Sequence, residues 1–242
     1  MTHKPRLDQL LVDRGLVESR EKAKALILAG EVRVDDQKMA KPGHTVAHDA
    51  RIELLSKPRY VGRGGLKLEA ALHHFAIDPT GCTCLDLGSS TGGFTDCLLQ
   101  HGAARVYAID SGTNQLDWKL RNDARVTVHE NQNARLLDRT HVPEPIDLLV
   151  CDVSFISVTL VLPPAIPLLR ERAHMVILIK PQFEAGRDQV GKGGIIRDKQ
   201  VHQQVCQRIE SFVQQLGYQT SIIDSPILGA EGNREFLLYA HR

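Results

Sequence analysis

Cysteine is scarce in this 242-residue sequence, and no long apolar run is present. The five cysteines form no C-x-x-C pair, which argues against a disulfide framework or a structural zinc site. The first residues, Met1 to Asp8, are polar and charged and lack the apolar segment of a signal peptide. The longest apolar-rich stretch, residues 147–169, contains Asp152 and three prolines and should not span a bilayer. We therefore expect a cytoplasmic protein that binds neither a metal nor a membrane.

The sequence also lacks a large net charge, which is +1 overall. Its charge is nevertheless uneven: 14 Lys and Arg stand against 9 Asp and Glu up to Lys67, and 16 against 20 follow. A basic first part on a mildly acidic body suggests that the first part meets a polyanion such as RNA. On charge alone, a solvated surface explains so modest an excess better.

Residues 1–57 have the pattern of a small domain of mixed helix and strand. The apolar stripe of Leu7, Leu10 and Leu11 predicts a first helix, which Gly15 ends. Ser19 can cap a second helix, and short strands follow, with residues 45–46 and 51–54 predicted to pair. The predicted elements cover residues 6–16, 19–29, 32–34, 45–46 and 51–54. A stretch without periodicity contains Pro58, so we place a linker at 58–63 and a second domain at 64–242.

Three segments of the first domain resemble the αL-type RNA-binding module of a small-subunit ribosomal protein, pseudouridine synthases and tyrosyl-tRNA synthetases. They are Arg6-Leu-Asp-x-Leu-Leu-Val12, Ser19-Arg-Glu-Lys-Ala-Lys24 and Gly30-x-Val-x-Val34. Asp36 stands where that family has a glycine, so a different turn is expected there. The resemblance, with the basic residues in and beside the linker, implies RNA contacts by Arg6, Arg20, Lys22, Lys24, Arg33, Arg59 and Arg63. Such contacts position RNA without reading its sequence, and an ordinary charged surface remains the alternative for each residue alone.

From residue 64 onward, short apolar runs alternate with amphipathic segments, which predicts a Rossmann-like α/β domain. The sheet should be mainly parallel, with seven strands, one of them antiparallel. The predicted strands are 82–87, 104–110, 126–129, 147–152, 175–180, 219–223 and 235–240. The predicted helices are 65–74, 92–101, 114–121, 158–169 and 199–216.

A glycine-rich motif, Leu85-Asp-Leu-Gly-Ser-Ser-Thr-Gly-Gly-Phe94, follows the first strand of this sheet. Glycines at this place let the backbone approach a ligand closely. The spacing is not the G-x-G-x-x-G of nicotinamide-binding proteins, and no Gly-Lys-Ser/Thr of a phosphate-binding loop is present. Asp110 closes the second strand, where an acidic side chain accepts hydrogen bonds from ribose hydroxyls in dinucleotide-binding folds. Alone, such a glycine-rich turn is often only a tight loop.

Together, these features resemble the pattern of S-adenosylmethionine-dependent methyltransferases. In that pattern Gly88 to Gly93 would cradle the methionine part of the cofactor, Asp110 would hold the ribose, and Asn131 to Asn133 would lie near the adenine. The predicted cofactor contacts are Asp86, Gly88, Ser89, Ser90, Thr91, Gly92, Gly93, Phe94, Asp110, Asn131, Asn133 and Asp152.

Charged residues stand at the ends of two predicted strands, Asp152 after one and Lys180 after the next. Glu235 begins the last strand, and if that strand is antiparallel all three meet at one edge of the sheet, where Lys67 could join them. A ribose 2′-hydroxyl is a poor nucleophile and needs a base, and a desolvated lysine near a second cation can take its proton. A structural ion pair is the commoner role of such residues, and it remains the alternative.

Four further segments resemble the TlyA family, which is often labelled hemolysin A. They are Asp152-Val-Ser-Phe-Ile-Ser157, Lys180-Pro-Gln-Phe-Glu-Ala-Gly-Arg187, Val190-Gly-Lys-Gly-Gly-Ile-Ile-Arg-Asp198 and Gly232-Asn-Arg-Glu-Phe-Leu237. The resemblance covers nearly the whole chain, including Arg63-Gly-Gly-Leu-Lys67. It implies an FtsJ-like domain with a catalytic tetrad of Lys67, Asp152, Lys180 and Glu235. One departure is Gly112-Thr-Asn-Gln115, where the family usually has Gly-Tyr-Gly-Gln.

Such an enzyme would methylate the ribose 2′-oxygen of cytidines in ribosomal RNA, with ribosomal subunits as partners and a monomer as the favoured state. A non-catalytic RNA-binding or ribosome assembly factor is the main alternative, and the complete tetrad argues against it. The amino-terminal module disfavours a small-molecule methyltransferase. A membrane-lytic hemolysin and a nicotinamide oxidoreductase fit the sequence least. The modified nucleotide and the ribosomal subunit stay open.

Overall fold

The computed structural model describes residues 4–39, 41–55, 59–186, 189–229 and 232–242. Pro58, where the predicted linker begins, and Arg187 of the quoted motif lie outside these ranges. The chain forms two compact units, Met1–Arg59 and Tyr60–Arg242. Tyr60 already belongs to the core of the second unit, where its ring is buried. No helix of the described residues is long and apolar enough to cross a bilayer.

The amino-terminal unit contains two short helices and a three-stranded antiparallel sheet in the order β2-β1-β3. The elements are α1 (Leu7–Asp13), α2 (Arg20–Leu28), β1 (Val32–Val34), β2 (Gln37–Lys38) and β3 (Ile52–Leu54). The Ser19 side chain accepts a hydrogen bond from Lys22 N at 3.2 Å and so caps α2, as the sequence predicts. The predicted stripe of α1 is buried against α2 and β1.

The predicted pairing of residues 45–46 with 51–54 is wrong. Thr45 instead makes an isolated antiparallel bridge with Arg6, and β3 pairs with β1. The turn that the sequence predicts at Asp35 and Asp36 joins β1 to β2 in a two-residue hairpin, although residues 37–38 were not among the predicted strands. Both residues take positive φ angles, 47° and 65°, as a two-residue hairpin turn requires, and aspartate tolerates this region better than most side chains.

The second unit is built on a seven-stranded sheet in the order β6-β5-β4-β7-β8-β10-β9. Its strands are β4 (Thr83–Leu87), β5 (Arg105–Ile109), β6 (Val126–His129), β7 (Ile146–Cys151), β8 (Leu169–Ile179), β9 (Gln219–Asp224) and β10 (Phe236–His241). Only β10 runs antiparallel to its neighbours, β8 and β9. This arrangement confirms the predicted α/β sheet with one antiparallel strand.

Helices cover both faces of this sheet, and each face has its own apolar core. The helices are α3 (Gly64–His74), α4 (Gly93–Gln100), α5 (Trp118–Arg121), α6 (Val158–Ala165), α7 (Pro181–Glu184) and α8 (Lys199–Gln215). Helix α6 contains Pro163 and Pro164 and passes directly into a 3₁₀ turn, Ile166–Leu168, so the helical segment ends one residue before the predicted 169. The chain enters β8 at Leu169 after a short turn, six residues before the predicted start at Met175.

One edge of the sheet gathers the functional residues predicted in this unit. Strands β4, β5, β7 and β8 end at this edge, and β10 begins there, because Phe236 is paired with Ile179. In open α/β sheets ligands bind outside this carboxyl edge.

Candidate active site

The loop after β4 passes close to the loop after β7 because Gly88 has no side chain. A Cβ atom at Gly88 would lie 2.5 Å from the carbonyl oxygen of Asp152, and its φ of +82° also favours glycine. At Gly92 a Cβ would lie 2.3 Å from a methyl carbon of Leu120. These two glycines therefore fix the shape of the loop, and Gly92 itself contacts α5 and not a cavity.

A cavity of about 580 Å³ opens beside this loop at the carboxyl edge. Asp110 lies in its wall, where its two carboxylate oxygens accept hydrogen bonds from Ser90 N and Gly112 N, each at 2.7 Å. The cavity is lined by Gly88, Ser90, Ile109, Asp110, Ser111, Gly112, Gln115, Gln132, Asn133, Ala134, Arg135, Asp152, Val153, Ser154, Phe155, Ile156 and Val161.

A smaller cavity of about 150 Å³ lies next to the first one. The starts of α3 and α4 form its walls, and it is lined by Gly62, Arg63, Gly64, Gly88, Ser89, Ser90, Thr91, Gly93, Phe94 and Asp152. Gly88, Ser90 and Asp152 line both cavities, so the two meet at Asp152. Most of the predicted cofactor residues thus line one continuous pair of cavities.

Three predicted cofactor residues do not line either cavity: Asp86, Gly92 and Asn131. Asn131 has a positive φ of 53°, and its N–H donates to the Gly112 carbonyl at 2.9 Å. This backbone role turns its side chain away from the lining, and Gln132 takes its place there. The side chain of Asn133 caps the following turn by accepting from Arg135 N at 3.0 Å.

Asp86 is buried in β4 beneath the glycine-rich loop. One carboxylate oxygen accepts a hydrogen bond from Thr95 Oγ1 at 2.7 Å, and the other has no hydrogen-bond partner among the described residues. Burial raises the pKa of Asp86 to about 7. Through this hydrogen bond Asp86 links β4 to Thr95 of α4, on the two sides of the glycine-rich loop.

Lys180 and Asp152 form an ion pair where the two cavities meet. Lys180 Nζ lies 2.5 Å from Asp152 Oδ1 and donates a hydrogen bond to Ser154 Oγ at 2.9 Å. The two side chains are only 12% and 19% exposed. Lys180 itself lines neither cavity, but both of its partners line the larger one, and they hold the ammonium against the residues of that wall.

Lys67 and Glu235 form a second, deeper ion pair. Lys67 Nζ lies 2.5 Å from Glu235 Oε2, and the side chains are 9% and 3% exposed. Glu235 directly precedes Phe236, whose cross-strand partner Ile179 directly precedes Lys180. The predicted tetrad is thus present at one edge as two adjacent lysine–carboxylate pairs.

Phe155 stands out at the rim of the larger cavity because its side chain faces solvent. It is 90% exposed, has a φ of +64°, and its ring centroid lies 4.8 Å from that of Phe183. The sequence-based selection of site residues missed it. Its signal was an aromatic side chain in the Asp152–Ser157 motif, directly after a strand end.

Glu184 fixes the loop that carries Phe155. It is buried, which raises its pKa, and it accepts hydrogen bonds from Ser157 Oγ at 2.7 Å and Val158 N at 2.8 Å. Arg208 on α8 also donates to it. The loop after β7 and the turn after β8 are thereby tied together.

The predicted RNA-contact residues lie in both units. In the amino-terminal unit, Arg6 and Arg20 share the carboxylate of Asp8, and Lys22 pairs with Glu18 at 3.1 Å. Lys24 is exposed, Arg33 is partly buried in β1, and Arg59 ends this unit. Arg63 of the second unit donates to the Leu228 carbonyl at 2.8 Å. Within the described ranges, no three His, Cys, Asp or Glu side chains are grouped for a metal ion.

Comparison with known protein families identifies the class of protein to which this fold and site belong. Residues 60–242 match the model of the FtsJ-like methyltransferases, and residues 5–52 match the S4 domain. The fold is shared with Aeropyrum pernix fibrillarin, at a TM-score of 0.53 and 19% identity over 87% of this chain and 94% of that one. The structure is that of a methyltransferase with an amino-terminal S4 domain.

Relatives narrow the class further. The chain is 43% identical over 242 residues to the 16S/23S rRNA (cytidine-2′-O)-methyltransferase TlyA of Mycobacterium tuberculosis, covering 99% of this chain and 90% of that protein. It is 44% identical to hemolysin A of Brachyspira hyodysenteriae, covering 97% and 98%. A Streptococcus thermophilus protein whose structure was solved under the name of a hemolysin matches at 41% identity and a TM-score of 0.76, over 100% and 90%. The chain therefore belongs to the TlyA family of FtsJ-like methyltransferases.

Proposed function

We propose that this enzyme transfers the methyl group of S-adenosylmethionine to the ribose 2′-oxygen of a cytidine in ribosomal RNA. The observation that carries the proposal is the Lys180–Asp152 ion pair, whose carboxylate residue lines both cavities. The TlyA relatives from Mycobacterium tuberculosis and Campylobacter jejuni are named as cytidine-2′-O-methyltransferases of rRNA, which supports the substrate.

The two cavities fit the two halves of S-adenosylmethionine. The larger one has room for an adenosine, and Asp110 there still has lone pairs to accept hydrogen bonds from ribose hydroxyls. The smaller one, which is lined by Ser89, Thr91 and Gly93, suits the polar methionine end. The absence of a side chain at Gly88 leaves the two cavities joined. When bound, the cofactor supplies a methyl group on a sulfonium.

The lysine paired with Asp152 has the position of a general base. In its neutral form, Lys180 Nζ would accept the proton of the 2′-hydroxyl as that oxygen takes up the methyl group that the bound cofactor supplies. Asp152 and Ser154 hold Nζ in place for this step. Lys67 and Glu235, the deeper pair, position the start of β10 next to the end of β8, from which Lys180 follows.

Phe155 suits the base of the target nucleotide. Sequence-specific enzymes on RNA hold unpaired bases against aromatic rings, and an exposed ring at the cavity rim offers such a face. The base would then stand beside the cavity wall that contains Asp152 and Ser154, the two partners of Lys180.

The amino-terminal domain, residues 1–57, serves RNA docking in this proposal, joined by the linker 58–63 to the catalytic domain 64–242. Its cations Arg6, Arg20, Lys22, Lys24 and Arg33, with Arg59 and Arg63, contact phosphates. Ribosomal subunits are the substrate, the cytoplasm is the site of action, and a monomer suffices because one chain contains both cavities and the tetrad.

A labelling experiment tests this function. Ribosomal subunits are incubated with methyl-labelled cofactor and the enzyme, and the label is mapped by nuclease and alkali treatment. We expect an alkali-resistant linkage, because a 2′-O-methyl group blocks attack on the phosphate. Label on a base would refute the proposed chemistry. A chain without residues 1–57 should keep its cofactor affinity but lose methylation of the subunits, and full activity of that chain would remove the docking role.

A further inference from the structure

The amino-terminal unit contains a buried carboxylate that the proposed chemistry does not use. Asp8 is fully buried, in the first turn of α1. Arg6 Nε and Nη2 donate to its two oxygens at 3.0 and 3.1 Å, and Arg20 Nη2 donates to Oδ2 at 3.0 Å. One carboxylate thus binds two guanidinium groups.

The two arginines come from different elements and remain accessible. Arg6 precedes α1 and Arg20 begins α2, and their side chains are 51% and 43% exposed. Arg6 commits two of its five N–H groups to Asp8 and Arg20 commits one, so both keep donors for a ligand.

The ionisation of Asp8 does not change in the working range. Hydrogen bonds from Arg6 and then Arg20 lower its pKa to about 2. Half-exposed arginine pairs of this kind contribute little to stability, whereas a buried carboxylate is costly without them. The two arginines therefore offset the cost of burying Asp8, and the donors that they do not use for it remain available to a ligand.

We propose that Asp8 is a positioning residue that holds the Arg6 and Arg20 guanidiniums together as one preformed clamp for a phosphate of the RNA backbone. This inference rests on the proposed function for the identity of the ligand. Two guanidiniums fixed in advance lose less side-chain freedom on binding, and their planar forks match phosphate oxygens.

Gly43 lies next to the Arg6 guanidinium, where a side chain would crowd it. A Cβ atom there would lie 3.1 Å from Arg6 Nη1 and 3.2 Å from Nη2. Gly43→Ala therefore pushes on the Arg6 guanidinium without changing any charge. It gives a second way to disturb the clamp.

The test rests on two explanations of Asp8, positioning of the arginines and reduction of the positive charge, which predict opposite changes in RNA affinity when Asp8 is neutralised. Asp8→Asn removes a negative charge, so if Asp8 only diluted the positive charge of this unit, affinity for RNA would rise. If Asp8 positions the arginines, affinity of the full-length protein for ribosomal subunits should fall, by about five- to tenfold. Binding is measured at several salt concentrations, and the salt dependence should become shallower as phosphate contacts are lost.

Asp13→Asn is the matched control. Asp13 is an exposed carboxylate on the same helix, bonded to Gln9 Nε2 at 2.7 Å, and its loss should leave affinity unchanged or slightly higher. Gly43→Ala should weaken binding by about two- to fivefold and decides the question if Asp8→Asn does not fold, as judged by melting.

The outcomes separate this inference from the proposed function. Wild-type affinity in both Asp8→Asn and Gly43→Ala, with normal methylation by the wild type, would overturn the clamp and spare the function. A wild-type protein that binds cofactor but no ribosomal RNA would overturn both.

Discussion

Both units pair carboxylates with cations, but the cations are solvent-exposed arginines in the amino-terminal unit and largely buried lysines in the second unit. In the amino-terminal unit Asp8 is buried and its two arginines reach solvent. In the second unit Asp152 and Glu235 pair with lysines that are themselves largely buried. The same interaction thus presents positive charge to solvent in one unit and keeps it buried next to Asp152, a residue of the cavity wall, in the other.

The choice of cation follows from this difference. A guanidinium stays protonated and offers a planar fork of donors, which suits docking to phosphate. An ammonium is compact and can give up its proton, which suits a base. Replacing a lysine of the second unit by arginine, and an arginine of the amino-terminal unit by lysine, therefore tests this difference most directly.

Lys180→Arg should give the largest effect. The guanidinium keeps the charge and the ion pair with Asp152 but cannot accept the 2′-hydroxyl proton. We expect cofactor and RNA affinity to be retained and the single-turnover rate to fall by about 10²–10⁴-fold. Rapid-quench measurement of methyl transfer checks this.

Lys67→Arg is its matched control in the deeper pair. There the cation only has to keep its charge beside Glu235, so the rate should fall by less than about tenfold. Equal losses in the two variants would mean that Lys180 is not distinguished as the base.

Asp110→Ala concerns a carboxylate that has no cation partner and binds backbone N–H groups instead. Its removal should weaken S-adenosylmethionine binding by about 1.5–3 kcal/mol if the carboxylate accepts ribose hydroxyls. Calorimetry on Asp110→Ala and Asp110→Asn measures this, and Asn should retain part of the affinity. Unchanged affinity in the alanine variant would rule out the ribose role.

Among the described residues, Asp86 has no cation as a partner, and only one of its two carboxylate oxygens accepts a hydrogen bond. Because its pKa is raised to about 7 when folded, the folded protein keeps a proton that the unfolded chain releases above about pH 4. The free energy of unfolding of cofactor-free protein should therefore fall as pH rises from about 4 to 7, by at most about 1.4 kcal/mol per unit from this group.

Asp86→Asn should flatten that dependence, and Asp13→Asn should leave it as in the wild type. Melting curves between pH 5 and 8 provide the comparison. A wild type and an Asp86→Asn variant with parallel pH profiles would contradict the assignment.

Arg20→Lys should give the smallest effect. It keeps the positive charge in the amino-terminal unit but loses the fork, so RNA affinity should fall by about two- to fivefold while cofactor affinity stays constant. Filter binding to ribosomal subunits measures it. A loss as large as that of a charge reversal, Arg20→Glu, would show that the charge alone is not what Arg20 supplies.

The sequence predicted the parts of this molecule that depend on local pattern. Strand ends place Asp152, Lys180 and Asp110 at one edge, and the antiparallel β10 adds Glu235 there, as its position before the last apolar run suggested. Periodicity could not reveal the outward Phe155 or the side-chain roles of Gln132 and Asn131, because these depend on single positive φ angles. Nor could periodicity show which carboxylate pairs with each cation; the pairing of both Arg6 and Arg20 with Asp8 is an example.

Because β10 is the last strand of the chain and lies between β8 and β9, the two units complete their folds at different times during translation. Lys67 meets Glu235 across 168 residues of chain, and β10 must insert between β8 and β9 before the two lysine pairs can stand side by side. The amino-terminal unit, by contrast, is a compact unit of its own, Met1–Arg59. A nascent chain can therefore complete the unit proposed to dock RNA while the proposed tetrad is still unformed. Until β10 has left the ribosome that makes the chain, the proposed base Lys180 does not yet have its neighbouring pair, Lys67 and Glu235.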